Sequence, residues 1–339
     1  MSIPKIIHYC WLSEEEYPVK IRDCIDSWNR LLPDYQIKLW DRNSIDFDKW
    51  PYAKEALTLK KYAFASDIIR LIAIYSEGGI YLDSDIEVLK SFDSLLSDKA
   101  FIGFESGFRV GPWLIAGEKG NPIIKEMLDY YVGKHFCDKN GNIDMTPNTV
   151  PITRILSEHG LKPVNDIQRL DNITIYPEEF YCPMNPWTGK INKTENTYAM
   201  HLFAGAWNDN ASDEMLFIDK INDNISDFLI WRNKNHITAP VIIFGTGVVG
   251  LRCLECLTQA GERNIVKCFV VTRRDNSWKE ISGIKIKEIC ECLNEDKEFI
   301  ILVGTNPRSH DSICRSLNDN GFKNIFCLGR GHMSNFFTS

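Results

Sequence analysis

Long apolar runs are missing from this chain: no stretch approaches the length needed to span a bilayer. The opening MSIPKIIHYCWL enters an apolar strand with no basic leader or cleavage site, so no signal peptide is expected. The expectation is a cytoplasmic protein with at most peripheral contact to a membrane. Positive charge is also in short supply. Lys and Arg number 39 against 46 Asp and Glu, and the net charge of −7 argues against non-specific nucleic-acid binding. An anionic substrate therefore needs local help, from a cation or a few arginines. A disulfide framework is not expected either, because the eleven cysteines are odd in number and scattered, which fits reduced thiols. Cys253-x-x-Cys256 and Cys290-x-Cys292 fall in helix-like segments without a histidine–cysteine complement, so zinc is not expected. Internal repeats and low-complexity tracts are lacking as well. What remains is the composition of a globular protein, 44% hydrophobic and 25% charged, and 339 residues leave room for two domains.

The organising stretch is Ser66 to Lys90, SDIIRLIAIYSEGGIYLDSDIEVLK. Ile68, Leu71, Ile72 and Tyr75 recur at i, i+3, i+4 and i+7, which predicts a helix with one buried stripe. Asp67 and Arg70 lie three apart on it and can reach the same neighbour. Gly78 and Gly79 stop the helix, and Ile80 to Leu82 read as a short buried strand. Acid follows at once, as Asp83-Ser84-Asp85. In an extended segment alternate side chains share a face, so the two carboxylates are expected to converge on a hard divalent cation, Mg2+ or Mn2+. Taken alone, such a triplet more often caps a turn or stays solvated; the buried strand and the charged helix before it favour the metal.

Around this stretch the pattern alternates between strand and helix. Ile3 to Leu12 and Tyr35 to Trp40 read as strands flanking a helix over Pro18 to Leu32, a right-handed crossover between parallel strands. Phe92 to Ser97 reads as a helical turn, and Phe101 to Glu105 and Trp113 to Ala116 as short strands. A helix is expected over Pro122 to Val132, a polar loop over Cys137 to Asn148 and a helix over Ile152 to His159. Thr174 to Tyr176 and Thr197 to Phe203 read as further strands. His8 reads as a core histidine. A helix around Glu214 to Trp231 and a polar stretch then lead to a new strand at Val241, which places a domain boundary near residue 237.

SDIIRL, GGIYLDSDIEVLK, IPKIIHYCW, PDYQIKLWD and TYAMHLFAGAW, in this chain, together resemble family 32 of the glycosyltransferases over about the first 210 residues. That family includes bacterial capsule and surface-polysaccharide transferases and yeast mannosyltransferases, and is related to the glucosyltransferase domain of the clostridial toxins. The resemblance implies a GT-A fold, a Rossmann-like mixed sheet with flanking helices, over residues 1–236. It also implies a divalent metal, usually Mn2+, a nucleotide-sugar donor (UDP as the first guess), a glycan or lipid-linked glycan acceptor, and retention of configuration. By this resemblance Asp85 binds the metal, Asp83 shares it, and His201 is the third ligand. Asp67 and Arg70 match the contacts to sugar hydroxyls and phosphate, Trp11 the tryptophan stacked on the base, and Trp207 a residue closing over the donor. Asn148, in TPNTVPIT, is expected near the reacting sugar or the acceptor. Leu202 stands where a second histidine is frequent, and Ala206, which has no hydroxyl, where a serine is.

The remaining residues, 237–339, read as a small Rossmann-like accessory domain. Gly245-x-Gly247-x-x-Gly250 follows a strand and opens a helix, as a dinucleotide fingerprint requires. The acid expected on the second strand is missing from CFVVTRR, although Arg273 and Arg274 can accept a 2′-phosphate. About 100 residues are too few for a catalytic partner domain, so NADP is not expected here and a binding, regulatory or oligomerisation module is. The competing reading of the whole chain is a nucleotide-binding oxidoreductase or sensor centred on these glycines.

Overall fold

The computed structural model describes residues 2–105, 108–184, 190–203, 220–274, 278–292, 299–305 and 309–332. The chain divides into two compact units, Met1–Asp209 and Asn210–Ser339.

The first unit begins as the pattern predicts. β1 (Ile6–Cys10), α1 (Val19–Leu31) and β2 (Gln36–Trp40) form the crossover, with β1 and β2 parallel from Ile6↔Gln36 to Cys10↔Trp40. Ile21, Cys24 and Trp28 make the buried stripe of α1. A helix that the sequence reading lacked, α2 (Pro51–Thr58), starts on proline, whose fixed φ suits the first helical position. α3 (Tyr62–Glu77) carries Asp67 and Arg70 and begins four residues earlier than Ser66. Gly78 and Gly79, with φ of 72° and 116°, end it. A Cβ on Gly79 would fall 2.7 Å from the Ile6 carbonyl oxygen, so only glycine lets β3 (Gly79–Leu82) enter the sheet so close to β1.

There follow β4 (Ile86–Val88), β5 (Ala100–Phe104), β6 (Val110–Gly117) and α4 (Pro122–Asp129). The last is capped by Asn121, whose Oδ1 accepts from the Ile123 and Ile124 amides. α5 (Thr149–Glu158), β7 (Gln168–Arg169), β8 (Thr174–Tyr176), α6 (Glu178–Tyr181) and β9 (Ala199–His201) complete the unit. Its seven-stranded sheet has the order β2-β1-β3-β6-β5-β8-β7. The β2-β1-β3 edge is parallel and β6 antiparallel to both its neighbours, so the sheet is mixed, as the GT-A class requires. β4 and β9 stand apart as a two-stranded pair. His8 is fully buried in β1 as expected. Its Nδ1 accepts from Trp40 Nε1 at 3.0 Å, which leaves Nε2–H to donate to the Gly78 carbonyl at 2.8 Å.

In the second unit, α7 (Ile221–Lys234) precedes β10 (Val241–Phe244), α8 (Val248–Gln259), β11 (Val266–Val271) and the hairpin of β12 (Glu280–Ile281) with β13 (Ile284–Glu288). β14 (Ile300–Val303), α9 (His310–Asp319), β15 (Ile325–Cys327) and β16 (Gly331–His332) close it. Its sheet runs β12-β13-β11-β10-β14-β15-β16, and the five inner strands are parallel. Numbered within the unit these five follow the order 3-2-1-4-5 of a doubly wound nucleotide fold. α7 packs on α8, so the contact division places this helix with the second unit, whereas the sequence boundary at 236/237 places it with the first.

Candidate active site

β1 and β3 run parallel, so Trp11 and Asp83 leave the sheet at the same edge, where open α/β sheets bind ligands. The Asp83 amide donates to the Trp113 carbonyl at 2.8 Å, and the Ile86 amide donates back to the Asp83 carbonyl at 3.1 Å. Asp83 to Ile86 is therefore a closed turn, not the extended segment that alternation suggested. The two carboxylates do converge, but the turn brings them together rather than the pleat of a strand.

His201 arrives from the other end of the unit. β9 pairs antiparallel with β4, setting His201 opposite Ile86, and the Leu202 amide donates to the Asp85 carbonyl at 3.1 Å. β4 is itself fastened to α1: Trp28 Nε1 donates to the Ile86 carbonyl at 2.7 Å, and the Val88 amide to Ser27 Oγ at 3.0 Å. His201 Nε2 thus lies 3.4 Å from Asp85 Oδ1, and one ligand atom from each of Asp83, Asp85 and His201 lies within 4.8 Å of the others. The imidazole packs against the Trp113 ring (centroids 4.9 Å apart) and the Phe203 ring (4.0 Å), and its Nδ1 is buried without a hydrogen-bond partner. Burial alone would lower its pKa; Asp85, then Asp83 and Glu105, outweigh that and raise it.

Behind the acids lie Arg70 and Asp67, 4% and 6% exposed. Arg70 Nη2 is 3.3 Å from Asp67 Oδ1 and 3.1 Å from Asp83 Oδ1, and donates to Ser66 Oγ at 3.0 Å. The guanidinium also lies 5.0 Å from the Tyr81 ring centroid. One side chain therefore ties the helix acid to the first acid of the turn. Asn148, at the N-terminus of α5, does not cap its helix; its Nδ2 donates instead to Asp67 Oδ1. Burial, against the pull of Arg70, pushes the Asp67 carboxyl up to about 7, and burial likewise raises Asp83.

Two half-buried carboxylates and an imidazole grouped this closely suit a divalent cation that accepts oxygen and one nitrogen. Asp67, Asp83, Asp85 and Glu105 are gathered around Arg70 and His201, with Arg109 also near Glu105, so acids outnumber bases here and a cation would offset the excess.

Trp11 is half-buried. Its ring meets Tyr17 edge-on at 4.9 Å, its Nε1 donates to the Glu15 carbonyl at 3.0 Å, and with Glu15, Glu16, Tyr17 and Arg22 it lines a hollow of about 370 Å³. Trp207 lies outside the described residues. In the second unit Gly245 has φ +108°, Gly247 precedes α8, and a Cβ on Gly250 would fall 2.1 Å from the Gly245 carbonyl oxygen. The three glycines thus sit where a fingerprint needs them, in a unit separate from the acids. Two residues escaped the sequence reading: Trp113, read only as a strand residue, and Glu105, whose Oε2 accepts from Trp113 Nε1 at 3.2 Å. Gly111, two residues before the tryptophan in an otherwise apolar strand, was the available signal.

This edge carries paired acids after a buried strand of a mixed sheet, the arrangement of a D-x-D site. Residues 18–102 match the family described as glycosyltransferase sugar-binding region containing DXD motif, a match that agrees with the family-32 resemblance. The chain is 28% identical over 143 residues to inositol phosphoceramide mannosyltransferase 3 of Schizosaccharomyces pombe, covering 38% of this chain and 36% of that protein. It is 26% identical to an uncharacterized glycosyltransferase, L373, of Acanthamoeba polyphaga mimivirus, over 60% of this chain and 84% of that one. Among solved structures the PaToxG glycosyltransferase is 27% identical over 38% of this chain and 59% of that one, with a TM-score of 0.33. The chain thus spans about a third of the yeast relative's length. Among the described residues no helix is long and apolar enough to cross a membrane.

Proposed function

We propose that the chain is a metal-dependent, retaining glycosyltransferase that moves a hexose from a nucleotide-sugar, UDP-linked in the first instance, to a glycan or lipid-linked glycan acceptor in surface-polysaccharide synthesis. The observation that carries this reading is the grouping of Asp83, Asp85 and His201 ligand atoms within 4.8 Å at the edge where Trp11 also emerges. The S. pombe relative is a mannosyltransferase by name, so GDP-mannose belongs in the donor panel beside the UDP-sugars.

Asp83, Asp85 and His201 would hold Mn2+ or Mg2+, which supplies Lewis-acid stabilisation to the diphosphate as the bond to the sugar breaks. Trp11 offers a flat face to the base. Asp67, fixed by Asn148 and Arg70, offers a carboxylate to sugar hydroxyls. Arg70 has its charge committed to two acids, so its part is to hold Asp83 and Asp67 in register and to add positive potential next to the diphosphate. Asp67 and Glu105 are both held by other side chains, which does not favour a carboxylate nucleophile. We therefore favour the front-face route, in which the leaving diphosphate oxygen takes the acceptor's hydroxyl proton while the acceptor oxygen bonds to the sugar on the same face. The second unit is an accessory module in this scheme, a candidate for self-association, and the protein acts in the cytoplasm or at the inner face of the membrane.

The test is a panel of nucleotide-sugars with Mn2+, scored for donor hydrolysis and transfer. Hydrolysis that EDTA and Asp85→Ala both abolish is the expected result; activity that survives either would refute metal dependence. A thermal shift with NADP(H) and none with UDP plus Mn2+ would instead favour the oxidoreductase or sensor reading.

A further inference from the structure

Trp113 is 4% exposed in a wholly buried strand, which by itself marks only a core aromatic. Its attachments mark something more, because each ends on a group of the candidate site. Its carbonyl holds the Asp83 amide at 2.8 Å. Its ring packs against His201 with centroids 4.9 Å apart, and the Phe203 ring packs against the same imidazole at 4.0 Å. Its indole N–H reaches Glu105 Oε2 at 3.2 Å, across the β5–β6 ladder. The backbone makes room for this placement. A Cβ on Gly111 would fall 2.0 Å from Trp113 Nε1, so any larger residue there would evict the ring. Gly111 pairs with Gly103 at the point where the ladder slips its register.

An imidazole packed against two rings is hindered from swinging about its Cβ–Cγ bond. Its ring edge is thereby aimed, with Nε2 toward Asp85. We propose that Trp113, anchored by Glu105, is a positioning residue that aims His201 at Asp85 and so completes the cation site. The inference rests on the metal reading given above for Asp83, Asp85 and His201. Groups that orient a ligand without touching the ion commonly govern affinity by roughly 10–100-fold.

The experiment compares wild type, Trp113→Phe, Glu105→Leu, Glu105→Gln and Asp85→Ala. Mn2+ affinity is measured by calorimetry, and the His201 ring signals by NMR in metal-free protein. Glu105→Leu removes the anchor, and Trp113→Phe keeps a ring but loses the N–H. Both should weaken Mn2+ binding by roughly 10-fold or more and shift the His201 signals. Glu105→Gln keeps an acceptor oxygen and should stay near wild type in both readouts, which also controls for folding. Wild-type Mn2+ affinity and unmoved His201 signals in Trp113→Phe and Glu105→Leu, with binding lost in Asp85→Ala, would overturn the positioning role and leave the metal reading standing. Should wild type bind no Mn2+ at all, the metal reading fails. The His201 signals then decide alone: shifted in Glu105→Leu but not in Glu105→Gln upholds the aiming of the ring, and unshifted overturns it.

Discussion

Asp67→Asn should make the metal-free protein more stable while making it a poorer transferase. In the fold the Asp67 carboxyl titrates at about 7, against an ordinary 3.8, because burial outweighs its contact with Arg70. The folded chain therefore holds a proton between about pH 4 and pH 7 that the unfolded chain releases, so stability falls as pH rises through that window and is flat above it. The difference is about three pH units, which at ~1.4 kcal/mol per unit makes ionised Asp67 cost on the order of 4 kcal/mol. Asparagine imitates the neutral carboxyl and keeps an oxygen for Asn148, although its amide hydrogens suit Arg70 less well. The net gain at pH 8 should be about 1–3 kcal/mol, or roughly 2–12 °C in the melting of a unit of this size. Near pH 4 the gain should vanish. Calorimetry in EDTA across pH 4–8 reads this, and transfer assays read the activity. A variant less stable than wild type at pH 8, or a gain indifferent to pH, would show that Arg70 wins over burial and that the site is arranged differently from this account.

Trp28→Phe removes the donor to the Ile86 carbonyl and should cost about 2–4 kcal/mol, with weaker Mn2+ binding because β4 carries the chain away from Asp85; denaturation and calorimetry test it. Glu55 accepts from the Phe136 and Cys137 amides and pairs with His135, and these bonds outweigh burial to lower its pKa. Glu55→Gln should lose about 1–3 kcal/mol near neutral pH, and the two proteins should converge as acid protonates the wild-type carboxylate; amide exchange at Phe136 and Cys137 should quicken. In the second unit Gly250→Ala forces a Cβ to 2.1 Å from the Gly245 carbonyl oxygen, whereas a Cβ on Gly247 meets nothing within 4 Å. The first substitution should destabilise that unit by about 1–3 kcal/mol and the second hardly at all, as read by its thermal unfolding.

Local pattern carried much of the architecture. The period of α1 and α3, the unbroken apolar run of β1 and the glycine stop before β3 each depend on near neighbours in the chain, and the elements formed where those neighbours placed them. α2 was missed because Pro51 to Thr58 is short and its apolar spacing weak, and β4 because three residues carry no period. The acids were legible as a pair but not as a turn, since the bond that closes Asp83 to Ile86 is a backbone bond that no side-chain pattern reports.

By itself the sequence determined the kind of chemistry available: two acids behind a buried strand, an acid and an arginine one helical turn apart, and a glycine-rich turn in a separate unit. Tertiary structure decided which of these meet. His201 reaches Asp85 through the β4–β9 pair, Asn148 reaches Asp67 because α5 begins beside α3, and Glu105 is joined to them by its bond to the Trp113 ring and its charge beside His201. Such meetings join groups far apart in the chain, and what fixes them is burial and backbone pairing, forces that act on the whole fold and leave little trace in any single stretch of residues.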